Sequence, residues 1–499
     1  MGVVKHQSLR SSVLIYLGFA IGGINTLLLF PVFFSGDQFG LTRIIGDIGV
    51  IVVPFCTFST GLMINRFYPY YAYHLPEKKN DLMGWVVIAT LIGLALFFVG
   101  TVVFKDLIVR KYVTKSPLLI EYFYFLYPFV TGIVLFSVFE SYSWSRHETV
   151  APNFLKELLI RIMTSAIIGL YVFKLISFIV FMWLFSLLYI IALVLLLFYL
   201  WRKNLLYFSI RVSSVTSRLY KRMMIYAFSL TSATIFNLLS QNIGALIIAS
   251  ISGLDEAAYM TIATYMAQLI QVPQRSISSI ATPIIAQSWK DKNMAKIDEI
   301  YKKSSILQLV AALFIFWEIW LNIDDIYRIM PHAYSSAKYL VFFMGVAKII
   351  DMGTGVNQQL LATSRFWRFD LTSATVLVIL SIPLNYFLIK KYGMVGSGYS
   401  MMISQFVFNG IRLLFIRKRF GLQPFSINTL KAVVASVAIY YISSLLPPLG
   451  NPFISIIVHG LLFLVLFGGA ILLMQVSEDI NHTVAATLRK AGNKVFRRK

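Results

Sequence analysis

Apolar residues run through this chain in long blocks separated by short polar turns. A helix crosses bilayer hydrocarbon with about 20 apolar residues. Runs of that kind predict fourteen spans: 10–34, 41–69, 82–104, 117–142, 151–173, 177–200, 223–251, 256–287, 304–322, 338–362, 369–389, 394–416, 429–446 and 452–474. The longest segments outside them are 201–222 and the tail after 475. Pro54, Pro128, Pro273 and Pro383 fall inside spans and are expected to kink them.

Composition agrees with a membrane setting. Of 499 residues, 58% are hydrophobic and 13% charged, whereas a soluble domain carries roughly 25% charge. The first apolar run, 11–34, is too long for a cleavable signal and reads as the first span. The single cysteine, Cys56, excludes an intrachain disulfide and reads as a small packing residue. The class is an all-α integral membrane protein of about fourteen transmembrane helices.

Charge then sets orientation. Lys and Arg number 44 against 21 Asp and Glu, a net +23. With the N-terminus inside, 32 of the 44 fall on cytoplasmic segments and nine on outer loops, as the positive-inside rule requires. The excess therefore marks topology and anionic lipid rather than nucleic acid, with both termini cytoplasmic. One loop resists: 105–116 places Lys105, Arg110, Lys111 and Lys115 outside. At the end of the chain Val476, Ile480, Val484 and Leu488 recur every four residues, either as a helix on the inner leaflet or as part of a frayed basic tail.

The halves resemble each other. Asn25 lies eleven residues before Gly36 as Asn242 does before Gly253, and Gly40 lies fourteen before Pro54 as Tyr259 does before Pro273. Each half carries a short acidic turn, Ser35-Gly-Asp-Gln against Ser252-Gly-Leu-Asp-Glu. Transporters are commonly built from such repeats. The expected organisation is an N-terminal six-helix lobe (1–200), a basic cytoplasmic linker (201–222), a C-terminal six-helix lobe (223–420), two further spans (421–475) and a basic cytoplasmic tail (476–499).

Several stretches resemble one family. They are Ser8 to Tyr71, with Leu29-Phe-Pro, Phe39-Gly-Leu-Thr-Arg and Arg66-Phe-Tyr-Pro-Tyr-Tyr; Tyr259 to Trp289, with Gln271-Val-Pro-Gln-Arg and Thr282-Pro; Asn357-Gln-Gln-Leu-Leu-Ala-Thr; and Pro383-Leu-Asn-Tyr-Phe-Leu-Ile-Lys-Lys-Tyr-Gly-Met-Val-Gly-Ser-Gly. They are similar to bacterial polysaccharide repeat-unit flippases, which serve O-antigen, capsule and exopolysaccharide assembly. These belong to the multidrug/oligosaccharidyl-lipid/polysaccharide exporter superfamily. The resemblance implies two pseudo-symmetric six-helix lobes around a central cavity that opens alternately to each side, plus two C-terminal helices in the bacterial inner membrane. It also implies a polyprenyl-diphosphate-linked oligosaccharide as cargo, with membrane lipids and other polysaccharide-assembly proteins as partners.

Charges inside spans are the candidates for gripping such cargo, because each costs roughly 2.5–3.5 kcal/mol at a span centre. Arg275 has no acid nearer in sequence than Glu256 or Asp291. It either holds a diphosphate through paired hydrogen bonds or pairs with Asp47 or Glu318 as structural glue. Lys348 with Asp351 and Arg43 with Asp47 are spaced to neutralise each other on one helix face, and Arg66 sits at an inner gate or snorkels to the interface. Glu140 and Glu318 receive no cargo role. Asn25, Asn237, Gln241, Asn242, Gln268, Gln271, Gln274, Asn357, Gln358 and Gln359 cluster in four spans, where amides serve either sugar hydroxyls or neighbouring helices.

The sequence holds no phosphate-cradling glycine loop, paired Cys or His metal spacing, or Gly-x-Ser-x-Gly elbow, and the six histidines are scattered, mostly in loops. The expectation is a transporter without cofactor, metal or ATP site, and no enzyme. A cation-coupled multidrug exporter of the same superfamily is the alternative, but Asp47 is the only interior acid of the first lobe. A membrane glycosyltransferase or polymerase is third, because its catalytic acids need an outer loop of domain size.

Overall fold

The computed structural model describes residues 17–146 and 148–481, together with Leu14. Among them every predicted span is covered by helix, and ten helices are long and apolar enough to cross a membrane. The other four spans differ for identifiable reasons. The first begins outside the described residues, and its apolar helix α1 (Leu17–Phe33) contains a π turn at Asn25–Leu29. The fifth is split by a second π turn, Phe154–Leu159, ahead of α7 (Ile160–Val172). The seventh lies in a 38-residue helix, α9 (Ser214–Ile251), which includes the apolar stretch Asn242–Ile251. The eighth is two helices.

The chain divides into two compact units, Met1–Thr261 and Ile262–Lys499. In the first, Ser35 starts α2 (Gly36–Thr57) with a capping box, its hydroxyl accepting from the Gln38 backbone N–H while Gln38 returns the bond to the Ser35 N–H. Helix α2 contains Pro54 and ends in two left-handed residues, Phe58 and Ser59, before α3 (Thr60–His74). Then follow α4 (Leu82–Val103), the short basic α5 (Lys105–Tyr112), α6 (Leu126–Ser145), α7 and α8 (Phe178–Arg202). Lipid is as apolar as leucine, so close packing rather than water exclusion holds such helices together. Cys56 is buried as expected, its thiol donating to the Gly93 carbonyl oxygen.

Helix α5 and the residues after it tie the loop 105–116 to the end of α9. Tyr112 donates to the Leu246 carbonyl oxygen at 3.3 Å and Ser116 to that of Ala249 at 2.6 Å. The four cations therefore lie at the same end of the unit as the Gly253 turn. The first acidic turn lies there too, because a Cβ on Gly36 would meet the Asp255 carboxylate and one on Gly40 the Leu254 carbonyl. The two acidic turns thus touch.

The expected linker is shorter than 201–222: α8 runs to Arg202 and α9 starts at Ser214. It is also tied down. The Tyr142 hydroxyl donates to the Leu205 carbonyl oxygen at 2.7 Å. The fully buried Asp81 carboxylate accepts from the Ser213 backbone N–H and the Thr216 hydroxyl, both at 2.8 Å.

The second unit takes in the end of α10 (Leu254–Ile270), then α11 (Val272–Lys290), α12 (Met294–Leu321), α13 (Lys338–Gly353), α14 (Asn357–Thr363), α15 (Trp367–Tyr392) and α16 (Val395–Phe420). The last two helices, α17 (Ile427–Ser444) and α18 (Pro452–Leu473), pack on α12 through Leu309, Leu313, Ala432, Ile439, Phe463 and Phe467. His459, inside the last predicted span, is buried in α18. Of the amphipathic tail, Val484 and Leu488 lie outside the described residues.

Candidate functional site

Two interrupted helices in the second unit build the site. Pro273 has no N–H and disfavours helix in the residue before it, and the eighth span breaks at Gln271, between α10 and α11. The tenth span breaks at Thr354–Val356, where Gly355 takes the left-handed φ of +64° that glycine tolerates best. Irregular backbone at membrane depth is tolerated where protein or water satisfies it, and polar side chains gather at both breaks.

Asp351, in the last turn of α13, is the centre. Its Oδ2 accepts from Gln271 Nε2 at 3.1 Å and Gln274 Nε2 at 3.3 Å, and its Oδ1 from Asn409 Nδ2 at 3.2 Å. Asn409 Oδ1 in turn accepts from the Thr354 hydroxyl at 3.0 Å and Asn357 Nδ2 at 2.9 Å. The sequence reading has Lys348 and Asp351 neutralising each other directly. Gln271 instead stands between them, taking the Lys348 ammonium on Oε1 at 2.8 Å while its amide N–H binds Asp351. Arg275 lies just past the break, exposed and within electrostatic reach of Lys348. It has no carboxylate at ion-pairing distance among the described residues of its unit, Glu318 included.

One turn beyond Asn409 on α16, Arg412 is only 2% exposed. It donates to the Asp370 carboxylate and, through Nε, to the Ser373 hydroxyl at 3.0 Å, with its guanidinium 3.9 Å from the Phe408 ring centroid. Its buried pair with Asp370 satisfies the charge inside the helix bundle. Lys156 is satisfied in the same way: both oxygens of the buried Glu140 accept from its ammonium, at 3.1 and 2.9 Å.

The remaining candidates are placed apart from this network. Arg43 and Asp47 pair at 3.7 Å, as their spacing predicts. Arg66 is exposed and stacks over Tyr226 at 4.3 Å. Asn25 is buried, its amide donating to the Arg161 carbonyl oxygen at 2.9 Å and its Oδ1 accepting from Ser165 at 2.6 Å, which joins α1 to α7. Asn242 donates within α9 to the Leu238 carbonyl oxygen. Gln358 and Gln268 are exposed, and the side chains of Asn237 and Gln241 lie outside the described residues. Asn409, Thr354, Arg412 and Asp370 are the residues the sequence reading passed over.

No family model matches this chain, and no curated protein matches it by sequence. Solved structures do share its fold. That of lipid II flippase MurJ in an inward closed conformation gives a TM-score of 0.74 at 15% identity, over 94% of this chain and 100% of that one. An inward-facing multidrug resistance transporter of the MATE family, in the MOP superfamily, gives 0.57 at 15% identity, over 83% and 94%. A MATE protein in a bent conformation gives 0.55 at 14%, over 84% and 95%. The chain has the all-α fold of these multi-pass membrane transporters.

Proposed function

We propose that this chain, with the fold of the MurJ and MATE transporters, is a flippase of the same superfamily. It moves polyprenyl-diphosphate-linked oligosaccharide from the cytoplasmic to the outer leaflet of a bacterial inner membrane, for cell-surface polysaccharide assembly. The observation that carries this reading is the pairing of exposed Arg275 with Lys348 beside one carboxylate that three amides already occupy. Two cations against one saturated anion leave positive charge for a ligand. A guanidinium offers a diphosphate two parallel hydrogen bonds, and an ammonium adds a point charge. Gln274 and the exposed Gln358 beside the breaks suit sugar hydroxyls, and alternating access carries the head group across while the polyprenyl tail stays in lipid. The likeness to the lipid II flippase supports a lipid-linked cargo.

A cation-coupled multidrug exporter is the second reading, favoured by the likeness to MATE transporters. It needs a carboxylate free to take a cation. Against it, Asp47 is paired with Arg43, and Asp351 is surrounded by amide donors. The deciding experiment is complementation in cells lacking the gene. Arg275→Ala is expected to abolish surface polysaccharide while the protein remains in the membrane, and normal polymer from that variant overturns the flippase reading.

A further inference from the structure

We infer that Asp351 is an internal stand-in for the cargo's phosphate, occupying Lys348 through Gln271 whenever the carrier is empty and yielding it when a diphosphate arrives. The inference rests on the flippase reading and names a positioning residue for it. A flippase must return empty after each delivery. Two cations that grip a dianion would then stand uncompensated inside the membrane, where unpaired charge is costly. The geometry supplies an answer. Lys348 is bound not to the carboxylate but to the near side of an amide whose far side holds it. The link is two hydrogen bonds long and can be exchanged without moving a helix. Asp351 itself is fixed from behind by Gln274 and Asn409, and Asn409 by Thr354 and Asn357. The carboxylate therefore stays in place while the ammonium leaves. Arg275, exposed and without a carboxylate partner among the described residues of its unit, meets the ligand first. Lys348 follows it from the half-buried layer behind.

Removing the stand-in has an unusual signature. Asp351→Asn leaves Lys348 without its counter-ion, so a diphosphate binds more tightly while the empty return slows. Farnesyl diphosphate titrated into the purified full chain in detergent is expected to bind at least tenfold more tightly to Asp351→Asn than to wild type. In proteoliposomes, net flipping of a fluorescent polyprenyl-diphosphate disaccharide should fall at least tenfold relative to its exchange, which needs no empty return. Gln271→Leu, which cuts the bridge and keeps both charges, should shift both readouts the same way by less. Adding Lys348→Gln to Asp351→Asn should erase the gain in affinity. Unchanged or weaker binding by Asp351→Asn and Gln271→Leu, or equal losses of net flipping and exchange, overturns the inference. Failure of wild type to bind farnesyl diphosphate overturns the flippase reading instead.

Discussion

Replacing Arg412 with methionine tests whether the hairpin of α15 and α16 is held by a buried ion pair that also steadies the site. Arg412 is 2% exposed and donates to Asp370 and Ser373 beneath the Phe408 ring. Methionine fills most of the same volume and removes the charge, leaving the Asp370 side chain, itself only 19% exposed, without its cation. Breaking one side of a buried pair costs about 3–5 kcal/mol, because the remaining charge stays buried and uncompensated. Lost cation–π attraction adds up to about 2 kcal/mol, part of which methionine recovers by contact with the ring. Removing both charges with Arg412→Met and Asp370→Leu should be close to neutral, since desolvating the pair offsets most of its attraction. The assay is thermal unfolding of the full chain in detergent, followed by tryptophan fluorescence. At roughly 2–4 °C per kcal/mol for a unit of this size, the single variant should melt at least about 6 °C below wild type, with the double variant recovering most of that. A single variant that melts with wild type, or a double variant less stable than the single, refutes the reasoning.

Other perturbations are equally specific. Gly40→Ala places a methyl group 2.0 Å from the Leu254 carbonyl oxygen, backbone that cannot rotate aside, and should cost about 1–3 kcal/mol. Gly46→Ala on the same helix meets nothing within 4 Å and should stabilise by about 0.5–1 kcal/mol through helix propensity. Melting of the two variants checks the sign of each. Asp81→Ala removes two bonds from the start of α9, each worth about 1.5–3 kcal/mol to a charged acceptor. Amide hydrogen exchange at 209–217 should then quicken at least tenfold while α12 is unaffected, and unchanged exchange means the linker is held by something else. Lys156→Met should destabilise the chain, and Lys156→Met with Glu140→Leu should recover stability in the same melting assay.

The spans were legible because length and apolar content are all a membrane helix requires, and the sequence predicts a helix at each of the fourteen. The breaks were harder to read. Pro273 announces a distortion in the eighth span, but only the folded backbone places Gln271 at the join. Gly355 carries no sequence signal that separates a left-handed turn from an ordinary membrane glycine. Arg412 lies inside the predicted span 394–416, but its partner Asp370 belongs to another helix, so spacing along the chain could not reveal the pair. The pair of Lys156 and Glu140 was hidden likewise, because pairing across helices leaves no spacing to detect. For the same reason Lys348 and Asp351 looked like a self-contained pair, although the amide between them comes from a span far away in sequence. Arg275 was legible as a candidate because a cation without a nearby acid is uncommon in an apolar span.

The central claim is that this chain moves a lipid-linked diphosphate and grips it with Arg275. The most direct measurement is the flipping of a fluorescent polyprenyl-diphosphate disaccharide in proteoliposomes containing wild type or Arg275→Ala, quenched from one side by a membrane-impermeant reductant. The account predicts protein-dependent access of about half the probe to the opposite leaflet with wild type and little above protein-free vesicles with Arg275→Ala. Equal flipping by the two proteins, or none by wild type at full incorporation, contradicts it.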